Sequence, residues 1–149
     1  MLVIGCGNRL RGDDGVGPAV VDGLLRRGPP PGLRCLDAGT AGVDVVLAMR
    51  GEDRVVLVDA CLGGGEPGTV RELRAEDLEP REPGPLSTHG IRWDRALALG
   101  RAVLQDAFPR SLVVYVVEAA SLEPGDPLTP AVERAVERLV DELVLAAAR

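Results

Sequence analysis

Three short strand-like runs near the start of the chain constrain its fold more than any other feature. Leu2–Cys6 (LVIGC) and Val55–Asp59 (VVLVD) are apolar runs too short for helices, and Leu33–Leu36 (LRCL) reads as a second strand between them. That pattern marks strands covered on both faces. Each run gives way to glycines and carboxylates: GNRLRGDDG after the first, DAGTAG after the second and DACLGGG after the third. The intervening segments carry a helical period. From Val16 to Arg26, the residues Val16, Ala19, Val20, Gly23 and Leu24 share one face, and Pro18 sits in the first turn, where it is tolerated. Val43–Arg50 places Val43, Val46 and Leu47 on one side. Strands alternating with helices predict an α/β fold, with a parallel sheet covered by helices on both faces.

The remainder of the chain extends this pattern. Gly28–Gly32 contains three successive prolines and makes a stiff connection. Thr69–Leu73 has mixed polarity and suits an edge strand. Arg74–Pro85 is charged and holds three prolines, so it is predicted to be irregular and exposed. A helix is expected from His89 or Gly90 to Phe108, with Trp93, Leu97, Leu104 and Phe108 as its apolar stripe. Leu112–Val117 is the most apolar run and is predicted to be central. Glu118–Pro130 reads as irregular. A last helix is predicted from Pro130 to Ala148, with Thr129 as its cap and Pro130 in its first position. Val132, Val136, Leu139, Val140 and Leu143 form its buried side. The 149 residues suit a single domain, and the chain has no internal repeat or low-complexity tail.

Composition narrows the functional classes. Seventeen basic against 23 acidic residues give a net charge of -6, which disfavours nucleic acid as a partner. Trp93, Phe108 and Tyr115 are the only aromatics and are not interleaved with basic residues. No apolar run approaches the roughly 20 residues that span a bilayer. MLVIGCGNRL has no basic leading segment and reads as a strand rather than a signal peptide, which predicts a cytoplasmic protein. Cys6, Cys35 and Cys61 form no CxxC pair, so they are expected to be apolar fillers in a reducing compartment rather than ligands of a thiolate cluster.

In a doubly wound sheet, ligands bind beyond the carboxyl ends of the strands. Asp13 and Asp14 precede the first helix there, either as a cap or, for Asp14, as a carboxylate aimed into the cleft. Asp59 ends an apolar strand, where a carboxylate needs backbone donors or a cation. His89, the only histidine, precedes the long helix, either as a surface or capping residue or as a ligand. Together Asp14, Asp59 and His89 make an oxygen–oxygen–nitrogen set suited to nickel or zinc. Spacing alone does not bring them together. The first turn fits neither the GxGxxG dinucleotide pattern nor the GxxxxGK phosphate loop, and its two aspartates would repel a phosphate. The chain has no GxSxG elbow and cannot supply HExxH.

GCGNRLRGDDGVG (Gly5–Gly17), LDAGTAG (Leu36–Gly42), VVLVDACLGGGEPGT (Val55–Thr69), STHG (Ser87–Gly90) and the region Ser121–Ala148 follow one another in an order that covers nearly the whole chain. In these motifs the chain resembles the nickel–iron hydrogenase maturation endopeptidases of the HybD and HycI type. The resemblance implies a three-layer α/β/α sandwich around a mostly parallel five-stranded sheet. It implies removal of a C-terminal extension from a hydrogenase large-subunit precursor after nickel insertion. Asp14, Asp59 and His89 would be the catalytic and metal-binding residues, with Asp14 standing where the best-described members have glutamate. Asn8, Asp37, Gly39 and Gly42 would line the substrate cleft. Nickel would be presented by the precursor rather than held permanently, and the protease would be a monomer or weak homodimer, with no nucleic acid partner and no membrane insertion. The metal would polarise the scissile carbonyl or activate water, or a carboxylate would act as general base while nickel positions the substrate. Two other readings remain open: a nickel-dependent sensor that does not cut, and a small-molecule hydrolase or nucleotide-binding protein on the same sheet.

Overall fold

A computed structural model describes residues 1–74 and 93–148 of the chain. It contains β1 (Leu2–Cys6), α1 (Val16–Arg27), β2 (Arg34–Gly39), α2 (Gly42–Met49), β3 (Arg54–Cys61), β4 (Val70–Arg74), α3 (Trp93–Leu104), β5 (Ser111–Glu118) and α4 (Pro130–Ala147). The sheet order is β2-β1-β3-β5-β4. All neighbours are parallel except β4, which runs antiparallel to β5.

The layers follow from side-chain alternation along the strands. Val3, Val56 and Val58 face α1 and α4, where they meet Val20, Leu24, Leu139 and Leu143. Leu2, Ile4 and Leu57 face α2 and α3, against Val45, Met49 and Leu97. Gly17 allows α1 to start directly against the sheet. A Cβ there would lie 2.3 Å from the Cys6 carbonyl oxygen and 2.5 Å from that of Val58.

This arrangement creates a crevice. Right-handed crossovers that run in opposite directions along the sheet must use opposite faces of it. The chain passes through α1 to reach β2 on one side of β1, then through α2 to reach β3 on the other. The connections therefore part beyond the ends of β1 and β3, at the switch point where such sheets bind ligands.

Several sequence expectations are refined. The last strand of the sequence is interior, between β3 and β4, but β3 occupies the middle of the sheet. β4 is an edge strand with Arg71, Glu72 and Arg74 exposed, as its mixed polarity predicts. β2 extends through Asp37 to Gly39 because β1 pairs with it that far. In α2 the buried side chains are Val45, Val46 and Met49, whereas Val43 and Leu47 are exposed, so of the predicted apolar side only Val46 faces the core. Leu97 and Leu104 of α3 are buried and Phe108 is partly buried. Pro130 opens α4, but Thr129 does not cap it through its side chain. Cys6 is buried, whereas Cys35 and Cys61 are only partly so. Among the described residues, no helix is long and apolar enough to cross a membrane. The expected irregular stretch Arg74–Pro85, apart from Arg74 itself, and the start of the long helix at His89 or Gly90 lie outside the described residues.

Candidate functional site

The turn after β1 begins at Gly7, whose φ of +119° suits only glycine. Its N–H donates to the Gly39 carbonyl at 2.8 Å, joining the ends of β1 and β2. A Cβ on Gly7 would stand 1.9 Å from the Asp14 carbonyl oxygen and 3.6 Å from Asp59 Oδ1. The Asp14 backbone and the Asp59 carboxylate therefore flank the same glycine.

Beyond Gly7 the chain folds back on itself. Asn8 Oδ1 accepts from the Leu10 N–H at 2.9 Å, an Asx turn. The Asn8 N–H donates to Asp14 Oδ2 at 2.9 Å, which fixes the direction of that carboxylate. Asp13 and Asp14 lie in a short 3-10 turn, Gly12–Gly15, that leads into α1. Neither caps α1, because its N-cap is Gly15 and makes no side-chain bond.

The two aspartates have different fates. Asp13 is fully buried. It accepts from the Ala120 and Ser121 N–H groups at 2.8 and 3.3 Å, and from the Thr129 N–H and hydroxyl at 2.7 and 3.0 Å. The Thr129 hydroxyl thus serves Asp13 rather than the first turn of α4. Asp14 is half-buried.

Asp59 is also half-buried, one residue beyond the Val58 that pairs with Gly5. Its Oδ1 accepts from the Ala60 N–H at 2.8 Å. The Cys6 thiol beside it is pushed well above the ordinary cysteine range, first by burial and then by the charges of Asp59 and Asp37. The edge is acidic, and Cys6 stays a neutral thiol.

Asp37 is held by its own loop and by the first loop. Its Oδ1 accepts from the Gly39 N–H at 2.9 Å, and its Oδ2 accepts from Arg9 Nε at 2.8 Å. Arg9 also pairs with Asp22 of α1. Gly39 has a φ of +52°, and Gly42 is buried as the first residue of α2. Asn8, Asp37 and Gly39 thus border the first and second loops, while Gly42 anchors the helix behind them.

The Asp14 backbone and the Asp59 carboxylate both border Gly7, and His89 lies outside the described residues. Among the described residues, no three His, Cys, Asp or Glu side chains form a metal-sized cluster. Two half-buried carboxylates, one from the turn before α1 and one from β3, can share a divalent cation, or one can take a proton from water.

Sequence reasoning missed Glu118, which is 2% exposed at the end of β5. Its Oε1 accepts from the Gly63 and Gly64 N–H groups at 2.6 and 2.8 Å. Its Oε2 lies 3.3 Å from Arg71 Nη2 and 3.5 Å from Cys61 Sγ. Burial alone would push its carboxyl up. Donation from the Gly63, Gly64 and Gly65 amides and the Cys61 thiol outweighs burial and holds it below the usual range. The available signal was a carboxylate ending the most apolar run of the chain, the same signal that singled out Asp59.

Comparison with known proteins gives this geometry a context. The family model described as HycI, hydrogenase maturation protease, matches residues 18–146. A hydrogenase 2 maturation protease of Escherichia coli strain K12 is 34% identical over 151 positions, spanning 100% of this chain and 90% of that protein, so the likeness includes the first loop. The solved structure of the hydrogenase maturating endopeptidase HybD from E. coli superposes with a TM-score of 0.79 at 32% identity, covering 97% of this chain and 90% of that one. A hydrogenase 2 maturation peptidase from a Thaumarchaeota archaeon gives 0.74 at 29% identity, covering 99% and 97%. The likeness runs through every layer of the sheet and through the loops that carry Asp14 and Asp59, and the chain belongs to the hydrogenase maturation protease family of peptidases.

Proposed function

We propose that this peptidase removes the C-terminal extension of a nickel–iron hydrogenase large-subunit precursor in the cytoplasm, after nickel has been inserted. The observation that carries the reading is that the Asp14 turn and the Asp59 carboxylate both border Gly7, at the β1/β3 switch point of a maturation protease fold.

Nickel belongs to the substrate in this reading. The two oxygen donors fit a borderline divalent ion, and the sequence supplies His89 as the nitrogen donor. When bound, such an ion supplies Lewis acidity toward a carbonyl or water. The chain's own residues do the remaining work. Asp14, fixed by the Asn8 amide, and Asp59, at the strand end, orient the loaded precursor and are the available bases for a water proton. Leu10 and Leu62, 75% and 65% exposed on the first and third loops, are apolar surfaces that a peptide in the crevice would meet.

The test uses the purified protein with large-subunit precursors prepared with and without nickel, followed by intact-mass measurement. The expected outcome is loss of the C-terminal peptide over many turnovers, from the loaded precursor only. Asp14→Asn and Asp59→Asn should each reduce kcat/KM by about 100-fold or more while unfolding near the wild-type temperature. Undiminished cleavage by Asp59→Asn would remove that residue from the site. A stoichiometric complex with uncut precursor would turn the protein into a sensor.

A further inference from the structure

Asp13 and Glu118 are the buried acidic side chains among the described residues, and both stand at the crevice edge of the sheet. The end of β5 and the segment that follows join them. Glu118 closes the strand and binds the Gly63 and Gly64 amides of the third loop. Two residues later, the Ala120 and Ser121 amides bind Asp13 of the first loop. Backbone bonds reinforce both connections. The Ala119 N–H donates to the Cys61 carbonyl at 2.9 Å, and the Asp13 N–H donates to the Ser121 carbonyl at 2.9 Å. Thus 118–121 touches, on one side, the end of β3 and the loop that starts three residues after Asp59 and, on the other, the turn that contains Asp14.

Each carboxylate receives several donors, which demands a defined loop geometry. Losing its acceptor oxygens would leave buried N–H groups without partners. We propose that Asp13 and Glu118 are positioning residues: they fasten the Asp14 turn and the post-Asp59 loop to a common beam, 118–121, and so set the spacing of the two crevice carboxylates. The inference rests on the peptidase reading above for its activity arm only.

The test compares Asp13→Asn, Glu118→Gln, Thr129→Val and Thr129→Ser in the full chain. Asparagine and glutamine keep the shape but turn an amide donor toward existing donors. Two readouts are taken: kcat and KM on nickel-loaded precursor, and residue-resolved amide exchange. Asp13→Asn should lower kcat about 10- to 100-fold with KM within about threefold, because misplacing reacting groups by about 1 Å costs rate rather than affinity. Exchange at Asn8, whose N–H bonds Asp14, should quicken while β1 and β3 keep their protection. Glu118→Gln should give the same kinetic split, with quickened exchange at Gly63 and Gly64. Thr129→Val removes one donor to Asp13 and should show a weaker form of the Asp13→Asn pattern, which Thr129→Ser should rescue. If Asp13→Asn does not fold, the Thr129 pair decides.

Wild-type kcat in the Asp13 and Glu118 variants would overturn the proposal, as would exchange that rises evenly through the strands. If the wild-type chain leaves every precursor uncut, the peptidase reading fails by itself. The exchange arm then decides the positioning claim: quickening confined to Asn8–Gly15 supports it, and unchanged exchange there overturns it.

Discussion

The loops after β1 and β2 leave neighbouring parallel strands at the same edge of the sheet, and both pass through a glycine with positive φ. They are held in different ways. The first is stitched to a segment more than a hundred residues away in sequence. Besides the bonds to Asp13, the Gly12 N–H donates to the Asp126 carbonyl at 3.1 Å, the Gly125 N–H to the Leu10 carbonyl at 2.8 Å, and Arg11 Nε to the Leu122 carbonyl at 3.2 Å. The second is held by its own neighbours: Gly39 to Asp37, and the Ala41 N–H to the Ala38 carbonyl at 3.0 Å. The loop that carries a candidate reacting carboxylate is thus the one with long-range support. That is the arrangement a site needs if its groups are to stay within a fraction of an ångström. The locally folded loop offers backbone and a paired aspartate.

The two glycines give the sharpest way to break this comparison. At Gly7 an added methyl group meets the Asp14 carbonyl at 1.9 Å and must also adopt a φ of +119°. At Gly39 nothing lies within 4 Å, and only the left-handed backbone at +52° opposes alanine. Gly7→Ala is expected to cost about 3 kcal/mol or more, as clash and strain add, whereas Gly39→Ala should cost about 1 kcal/mol. Denaturant midpoints at unchanged slope measure both. Equal losses would mean that the first loop yields as readily as the second, and that its stitching does not hold Asp14 in place.

The same contrast explains what could be read from the sequence. The covered sheet and its edge strand were legible because strands buried on both faces read as continuous apolar runs and helices as an apolar period, whereas β2 runs three residues past its predicted end. The crevice was legible too, since strand ends in an alternating fold predict where ligands go. The division of labour between Asp13 and Asp14 was not. Adjacent aspartates in GDDG look equivalent until Ala120, Ser121 and Thr129 are known to surround one of them. Thr129 misled for the same reason. A threonine before a proline-started helix satisfies the local rule for a cap, but a buried carboxylate from the other end of the chain competes for its hydroxyl. The exposure of Val43 and Leu47 has a simpler cause: an eight-residue helix contains too few turns for its apolar period to fix the buried face.

The smallest expected effect lies where the two loops meet at the surface. Arg9 of the first loop reaches Asp37 at the end of β2 and Asp22 of α1, with side-chain exposures of 47%, 31% and 38%. Such exposed pairs are worth at most about 1 kcal/mol and weaken in salt. Hydrogen bonding from Arg9 is the main cause that holds the Asp22 carboxyl below its ordinary range. A carboxyl depressed in the folded state stabilises above its unfolded pKa, near about 3.9, and loses that contribution as pH falls through its lower folded value. Arg9→Ala should therefore cost under about 1 kcal/mol at neutral pH and low salt, and the difference from wild type should shrink both in high salt and as pH drops below about 4. Unfolding curves at neutral and acid pH, each at two salt concentrations, measure this. A loss that stays constant across all four conditions would assign Arg9 a packing role along its apolar stem, and would make the junction of the two loops steric rather than electrostatic.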